Sequence, residues 1–254
     1  MRIAFVISAG LAAGIAAQTP EPAAPAFEVA SIKASRDVSS GSSVLQDQSG
    51  NLTTHNATLK RLVMFAYAVR EHQVIGGPSW IDSACFDILA KPAVRTRSSA
   101  EFRRMVQALL SDRFKVKLHQ DSRELPIYAL VLAKGGPKLT EWKEGVGPTC
   151  QYQGGELTCR KVSMAILADE LARRVGRTVV DRTGVTGAFD VKLTWSPDEF
   201  QVPGPAEMGR AEAANPGGLS LFSAVQEQLG LKLEADKGPV PVLIIDSAER
   251  PSEN

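Results

Sequence analysis

The feature that most restricts how this chain can fold is a pattern of residues used twice, in the same order. Asn51-Leu52-Thr53 recurs as Glu156-Leu157-Thr158, and Leu62 as Leu167, each 105 positions later. Val74-Ile75 recurs as Val179-Val180 at the same spacing, and Phe86-Asp87-Ile88 as Phe189-Asp190-Val191 at 103. Val106-Gln107 with Leu110 then corresponds to Val225-Gln226 with Leu229, and Leu130-Val131-Leu132 to Leu243-Ile244-Ile245. An insertion at 197–218 accounts for the changed spacing. Blocks that keep their order over this length point to a duplicated unit, here 27–140 and 150–249.

Each copy can be read element by element. Thr58 or Ser163 offers a side-chain oxygen where a helix begins. It is followed by Leu59, Leu62, Val63 and Ala66 in the first copy and by Met164, Leu167 and Leu171 in the second. Spacings of three and four put these on one helical face. A short strand follows (Gln73 to Ile75; Thr178 to Val180), then a turn with Gly76-Gly77-Pro78 or Thr183-Gly184. The next strand alternates clearly in the second copy, with Phe189, Val191, Leu193 and Trp195 on one face and Asp190, Lys192 and Thr194 on the other.

A second helix carries Phe102, Val106, Leu109 and Leu110, or Leu221, Phe222, Val225 and Leu229. It leads into a strand pair, with Phe114, Val116 and Leu118 first and Ile127 to Leu132 second. The counterparts are Leu231 with Leu233, then Val242 to Ile245. The order strand, helix, strand, strand, helix, strand, strand predicts an α+β fold of two similar units, with antiparallel or mixed sheets and helices packed on one face. Phe27 to Lys33 is expected to open the first unit as a strand. Residues 34–50, with Ser39, Ser40, Ser42 and Ser43, and the 197–218 insertion read as loops.

Residues 1–17 have the layout of a cleavable signal peptide: charged Arg2, an apolar run from Ile3 to Ile15, and small residues at Ala16 and Ala17, either of which can precede the cut. The run is shorter than the roughly 20 apolar residues that cross a bilayer. Residues 18–26 form a Pro/Ala-rich linker. The expectation is therefore an exported protein, periplasmic or extracellular, with no stable membrane insertion of the mature chain. Of 29 Lys plus Arg and 28 Asp plus Glu, removal of Arg2 leaves 28 against 28. That balance gives no electrostatic pull toward nucleic acid.

Export places Cys85, Cys150 and Cys159 in an oxidising compartment. Gly154 and Gly155 supply a turn between Cys150 and Cys159, so a disulfide between them is expected, against the alternative of two separate thiols. Cys85 is expected to be buried as a small apolar residue.

No catalytic spacing emerges. His55, His72 and His119 stand apart from the paired-His pattern of helical zinc hydrolases. There is no Gly-x-Ser-x-Gly or Ser-x-x-Lys arrangement, and Lys134-Gly135-Gly136-Pro137-Lys138 reads as a turn rather than a phosphate loop. Asp181-Arg182-Thr183-Gly184 has an Arg inside the Asp-Thr-Gly of aspartic proteases, and its duplicate lacks an Asp. Asp87 and Asp190, repeated beside Phe86 and Phe189, read as turn or strand-edge residues. Trp80, Trp142 and Trp195, with Tyr67, Tyr128 and Tyr152, are types that line sugar or peptide grooves, yet the strand phase of Trp195 points it inward. No cofactor or metal is expected, and the catalytic residues, if any, are unknown.

Several motifs together resemble one family: Phe27 to Lys33, Gly76-Gly77-Pro78-Ser79-Trp80, Leu109-Leu110-Ser111-Asp112-Arg113-Phe114-Lys115, Arg123-Glu124-Leu125-Pro126-Ile127-Tyr128, Val180-Asp181-Arg182-Thr183-Gly184 and Glu249-Arg250-Pro251. It is a family of secreted bacterial proteins, abundant in acidobacteria, catalogued as a domain of unknown function. The resemblance implies export and a shared fold, and no activity. Cys85 departs from it, standing where a charged residue is expected. A related domain attached to membrane metallopeptidase sensors implies a sensing or docking role by analogy. The second unit also resembles the short N-terminal domains of secretins and TonB-dependent receptors, with a helix before Gly176-Arg177-Thr178-Val179-Val180 and another ending in Leu229-Gly230-Leu231. Such domains bind other proteins.

These observations lead to the expectation of a non-enzymatic extracytoplasmic protein that binds or docks an envelope or extracellular protein. The alternatives are a secreted hydrolase with a site assembled from distant residues, and a small-ligand or glycan binder in a cleft between the units.

Overall fold

The structure is a computed structural model that describes residues 26–36, 41–92, 98–196 and 219–252. The expected signal peptide, most of the linker and the 197–218 insertion lie outside the described residues. The fold is α+β.

The first stretch of chain forms β1 (Phe27–Ala34), β2 (Ser43–Gln46), β3 (Leu52–Thr58), α1 (Leu59–Tyr67), β4 (Val74–Gly76), β5 (Cys85–Pro92), α2 (Ser99–Arg113) and β6 (Lys117–Leu132). The second forms β7 (Thr140–Glu141), β8 (Thr149–Gln153), β9 (Glu156–Val162), α3 (Met164–Val175), β10 (Val179–Asp181), β11 (Phe189–Thr194), α4 (Leu221–Leu229) and β12 (Leu231–Ser247). Two sheets are each drawn from one stretch of chain, and these outer sheets, so called for their chain origin alone, have the same strand order, β1-β5-β3-β2 and β7-β11-β9-β8. The third is shared by both stretches and central in that sense only: its order is β10-β6-β12-β4, and each stretch of chain contributes two of its strands.

The helices form where apolar spacing and capping coincide. Leu59, Leu62, Val63 and Ala66 of α1 are buried, as are Met164, Leu167 and Leu171 of α3. The Thr58 hydroxyl accepts the Arg61 N–H at 3.3 Å, and the Ser163 hydroxyl the Ile166 N–H at 3.3 Å. Ser98 and Ser220 cap α2 and α4 in the same way. In and just beyond β11, Phe189, Val191, Leu193 and Trp195 are buried, matching their alternation.

Two expectations are corrected. The stretch 34–50 is not all loop, because β2 pairs along Leu52–His55 of β3. The Asp47 carboxylate accepts the N–H groups of Ser49 at 2.7 Å and Asn51 at 2.9 Å, which closes a tight hairpin with β2 at the sheet edge. The strand pair after each second helix is a single long strand. Polar Gln120 to Leu125 does not turn; it pairs with Leu243 to Gly238 of the opposite strand, so its backbone groups are satisfied at long range.

Three prolines survive inside these long strands because of their phase. Pro126 shares the phase of Tyr128 and Leu130, whose backbone groups bond toward β10: the Tyr128 N–H to the Thr178 carbonyl and the Leu130 carbonyl to the Arg182 N–H, each at 2.9 Å. Pro239 and Pro241 share the phase of Leu243, which pairs with β4, and the Pro241 carbonyl accepts from Gln73 at 3.0 Å. All three missing N–H groups therefore fall on the side away from the β6–β12 ladder, where no donor is required.

Two compact units result. One holds the described residues up to Tyr67, Ala84–Phe114 and the tail from Pro251; the other holds Ala68–Ser83 and Lys115–Arg250. This division differs from the expected units 27–140 and 150–249, because β4 and β6 join the central sheet of the second unit. The core of that unit gathers Leu167 and Leu171 of α3, Val225 of α4, and Leu157, Leu193 and Leu231 from three strands.

Candidate functional site

Both outer sheets carry the same device. The backbone of Asn56 in β3 is left-handed (φ 50°), as is that of Lys161 in β9 (φ 53°), 105 positions on. The ladder shifts register beside each. A left-handed non-glycine residue costs about 1–2 kcal/mol, and a bulge takes its N–H out of the ladder. The repeated aspartates answer that need. Asp87 Oδ1 accepts the Asn56 N–H at 2.8 Å and the Ser35 hydroxyl at 2.7 Å, while Asp190 Oδ1 accepts the Lys161 N–H at 3.1 Å. Each carboxylate thus secures a bulge in its own sheet.

The Asn56 N–H, then the Ser35 hydroxyl and the nearby His55, hold the Asp87 carboxyl below its ordinary value, outweighing the opposing effect of burial. A depressed carboxyl stabilises the fold above its unfolded value, near 3.8, and that contribution is lost as pH falls below it. Asp87→Asn is therefore expected to flatten the acid limb of the stability curve as pH falls below about 4. Thermal melts across that range check it; an unchanged limb would refute the role.

The other sequence-level candidates do not assemble. His55 Nδ1 lies 3.4 Å from Asp87, His72 Nε2 lies 2.9 Å from the Thr178 hydroxyl, and His119 Nδ1 lies 3.0 Å from Asp246. Burial lowers the pKa of His72, with Arg70 adding to the shift. Among the described residues, no group of three His, Cys, Asp or Glu is placed to hold a metal. The Asp181 carboxylate accepts from the Thr183 N–H and hydroxyl at 2.9 and 2.8 Å, so the Asp-Arg-Thr-Gly motif is a self-bonded turn. Its Arg182 reaches Asp236 at 2.6 Å. The tryptophans are each engaged locally: Trp80 by Arg250, Trp142 by Lys161, and Trp195 by stacking on Tyr152, whose ring also meets Arg174.

Cys150 and Cys159 stand directly opposite each other in the β8–β9 ladder, joined by a disulfide. Gly154 and Gly155, both at positive φ, make the turn between them. Closing a loop of this length stabilises by roughly 2–3 kcal/mol on the chain-entropy model. The double variant Cys150→Ser/Cys159→Ser is expected to lose about that much in denaturant titration. A change under about 0.5 kcal/mol, within the range of ordinary surface substitutions, would show that the hairpin needs no staple. Cys85, expected to be buried, is only half-buried at the start of β5, because β5 begins at the sheet's end rather than in its middle.

The surfaces of the two outer sheets differ. On the solvent face of the first, Leu45, Thr53, Leu89 and Ser31 stand opposite one another across four strands. Leu45 is 58% exposed, Leu89 60% and neighbouring Val29 59%. On the second, Lys192 takes the place of Leu89, 103 positions on, and pairs with Thr158. Two open clefts accompany these sheets. One, of about 480 Å³, lies among Phe27, Val29, Ala108, Asp112 and Arg113. The other, of about 410 Å³, lies among Lys138, Thr140, Arg160, Asp190, Lys192 and Gln228. Periodicity hides the apolar face: Leu45 sits in a stretch read as loop, and Leu89 interrupts a run whose other members are core.

Two sheets of matching strand order and a third built from both stretches of chain make up an α+β protein. The chain belongs to the family described as Protein of unknown function (DUF3738), whose model matches residues 60–248. Comparison with curated proteins and with solved structures finds no match in either.

Proposed function

We propose that this is an exported, non-enzymatic docking protein that binds another envelope or extracellular protein through the solvent face of its first outer sheet. The observation that carries the reading is the exposure of Leu45, Leu89 and Val29 on one sheet face, rimmed by Lys33, Lys91 and Asp87. Grouped exposed aliphatic side chains on a sheet favour a protein partner, which removes them from water. The disulfide agrees with an oxidising compartment, and no helix among the described residues is long and apolar enough to cross a membrane.

Two measurements test the reading. Exported material is expected to begin at Ala17 or Gln18, as N-terminal sequencing would show. Immobilised protein is expected to retain a partner from the envelope fraction, and Leu45→Glu/Leu89→Glu to lose it with an unchanged circular dichroism spectrum. Failure to retain any partner, together with hydrolysis in a substrate screen, would sink the proposal.

A further inference from the structure

The two outer sheets share a strand order but not a complete set of edges. In the first, β1 covers β5 from Phe86 to Pro92. In the second, the corresponding strand β7 covers only Phe189 and Asp190 of β11. The chain before Thr140 does not continue along β11, because the Lys138 N–H bonds the Leu229 carbonyl at 2.8 Å. Farther along β11, the Gln228 side chain stands in for a strand. Its amide donates to the Thr194 carbonyl at 2.7 Å and accepts the Thr194 N–H at 3.0 Å.

Alternate residues of a strand present their backbone groups to the same edge, so Asp190, Lys192 and Thr194 share this one. Thr140 covers the first and Gln228 the last. The backbone of Lys192 faces the edge between them with no strand beside it among the described residues. The 410 Å³ cleft lies at this gap.

The charge around the gap is predominantly positive. Lys138, Arg160 and Lys192 line it against one carboxylate, Asp190, which is already bonded to the Lys161 N–H. Lys192 reaches Glu156 at 3.2 Å, and Lys138 donates to the Glu227 carbonyl. Among the described residues no carboxylate pairs with Lys138 or Arg160.

We propose that the β11 edge is a second docking site, which takes an extended acidic segment of a partner protein as an added antiparallel strand. The guest backbone bonds the N–H and C=O of Lys192, as β1 does along β5, and a Glu or Asp side chain of the guest meets Lys138 and Arg160. Gln228 is a stop that competes with the guest for Thr194. The site rests on the reading of the chain as a docking protein but uses a different sheet from the apolar face.

The test uses the whole chain and a labelled, end-capped hexapeptide alternating Glu and Val, followed by fluorescence anisotropy and amide chemical shifts. Saturable binding is expected, with shifts centred on Lys192 and Thr140. Lys138→Ala/Arg160→Ala is expected to weaken it about tenfold, and Gln228→Ala to strengthen it. A peptide N-methylated at the residue facing Lys192 is expected to bind at least tenfold worse, the scale of a lost buried hydrogen bond. Equal binding of the N-methylated or a Lys-for-Glu peptide, or no saturation, overturns the proposal. Leu45→Glu/Leu89→Glu leaves this binding intact, so a failure here with partner capture retained counts against this edge alone.

Discussion

Expressed alone, residues 150–249 are expected not to fold, and residues 27–140 to keep the first outer sheet while leaving β6 unprotected against hydrogen exchange. Mixing the two is expected to restore protection from Gln120 to Leu132. The reason lies in the central sheet, where β6 pairs with β12 over nearly its whole length while β4 and β10 attach to the strand from the other stretch of chain. Separation strips β12 of its partner and unsettles Leu231, Leu233, Val240, Val242, Leu243 and Ile245, all buried in the intact protein. At about 1.5–3 kcal/mol for each buried aliphatic side chain, even half of that loss rivals a typical domain's total stability of about 5–15 kcal/mol. A cooperative melt from 150–249 by itself would show that the second stretch is a self-sufficient domain.

The second large effect is expected at Gly230. Two helices end in a left-handed glycine, α3 at Gly176 (φ 64°) and α4 at Gly230 (φ 63°). Around Gly176 nothing lies within 4 Å of where a Cβ would stand, so Gly176→Ala should cost only the left-handed backbone, about 1–2 kcal/mol. At Gly230 the same Cβ would fall on the Gly136 carbonyl oxygen. That oxygen belongs to the Lys134-to-Lys138 turn, held by the Ala133 N–H on the Gly230 carbonyl at 3.0 Å and the Lys138 N–H on Leu229. Gly230→Ala must move backbone as well, adding overpacking of about 1–3 kcal/mol, for a total near 4 kcal/mol. Denaturant titration of both variants checks the contrast, and equal losses would refute the crowding argument.

These features mark what periodicity can and cannot deliver. The helix faces, the caps at Thr58 and Ser163 and the alternation through Trp195 were legible because each depends on neighbours within a few residues. The long strands were not, because only a partner more than a hundred positions away keeps polar Gln120 to Leu125 extended. The meaning of Asp87 and Asp190 was half legible: repetition marked them, but their bonds go to residues 31 and 29 positions earlier. The open edge of β11 was invisible, since it depends on where β7 stops relative to a side chain on α4.

The central sheet also sets the order in which the molecule can be made. Pairs such as Gln120 with Leu243 close loops longer than a hundred residues, so the ladder forms late and slowly compared with the local hairpins β2–β3 and β8–β9. Its completing strand, β12, is the last element described in the chain. Until that strand is in place, β6 can pair only with the three residues of β10, and β4 has no partner strand. The central sheet is therefore completed only when nearly all of the described chain has been made, whereas the first outer sheet needs nothing beyond Pro92.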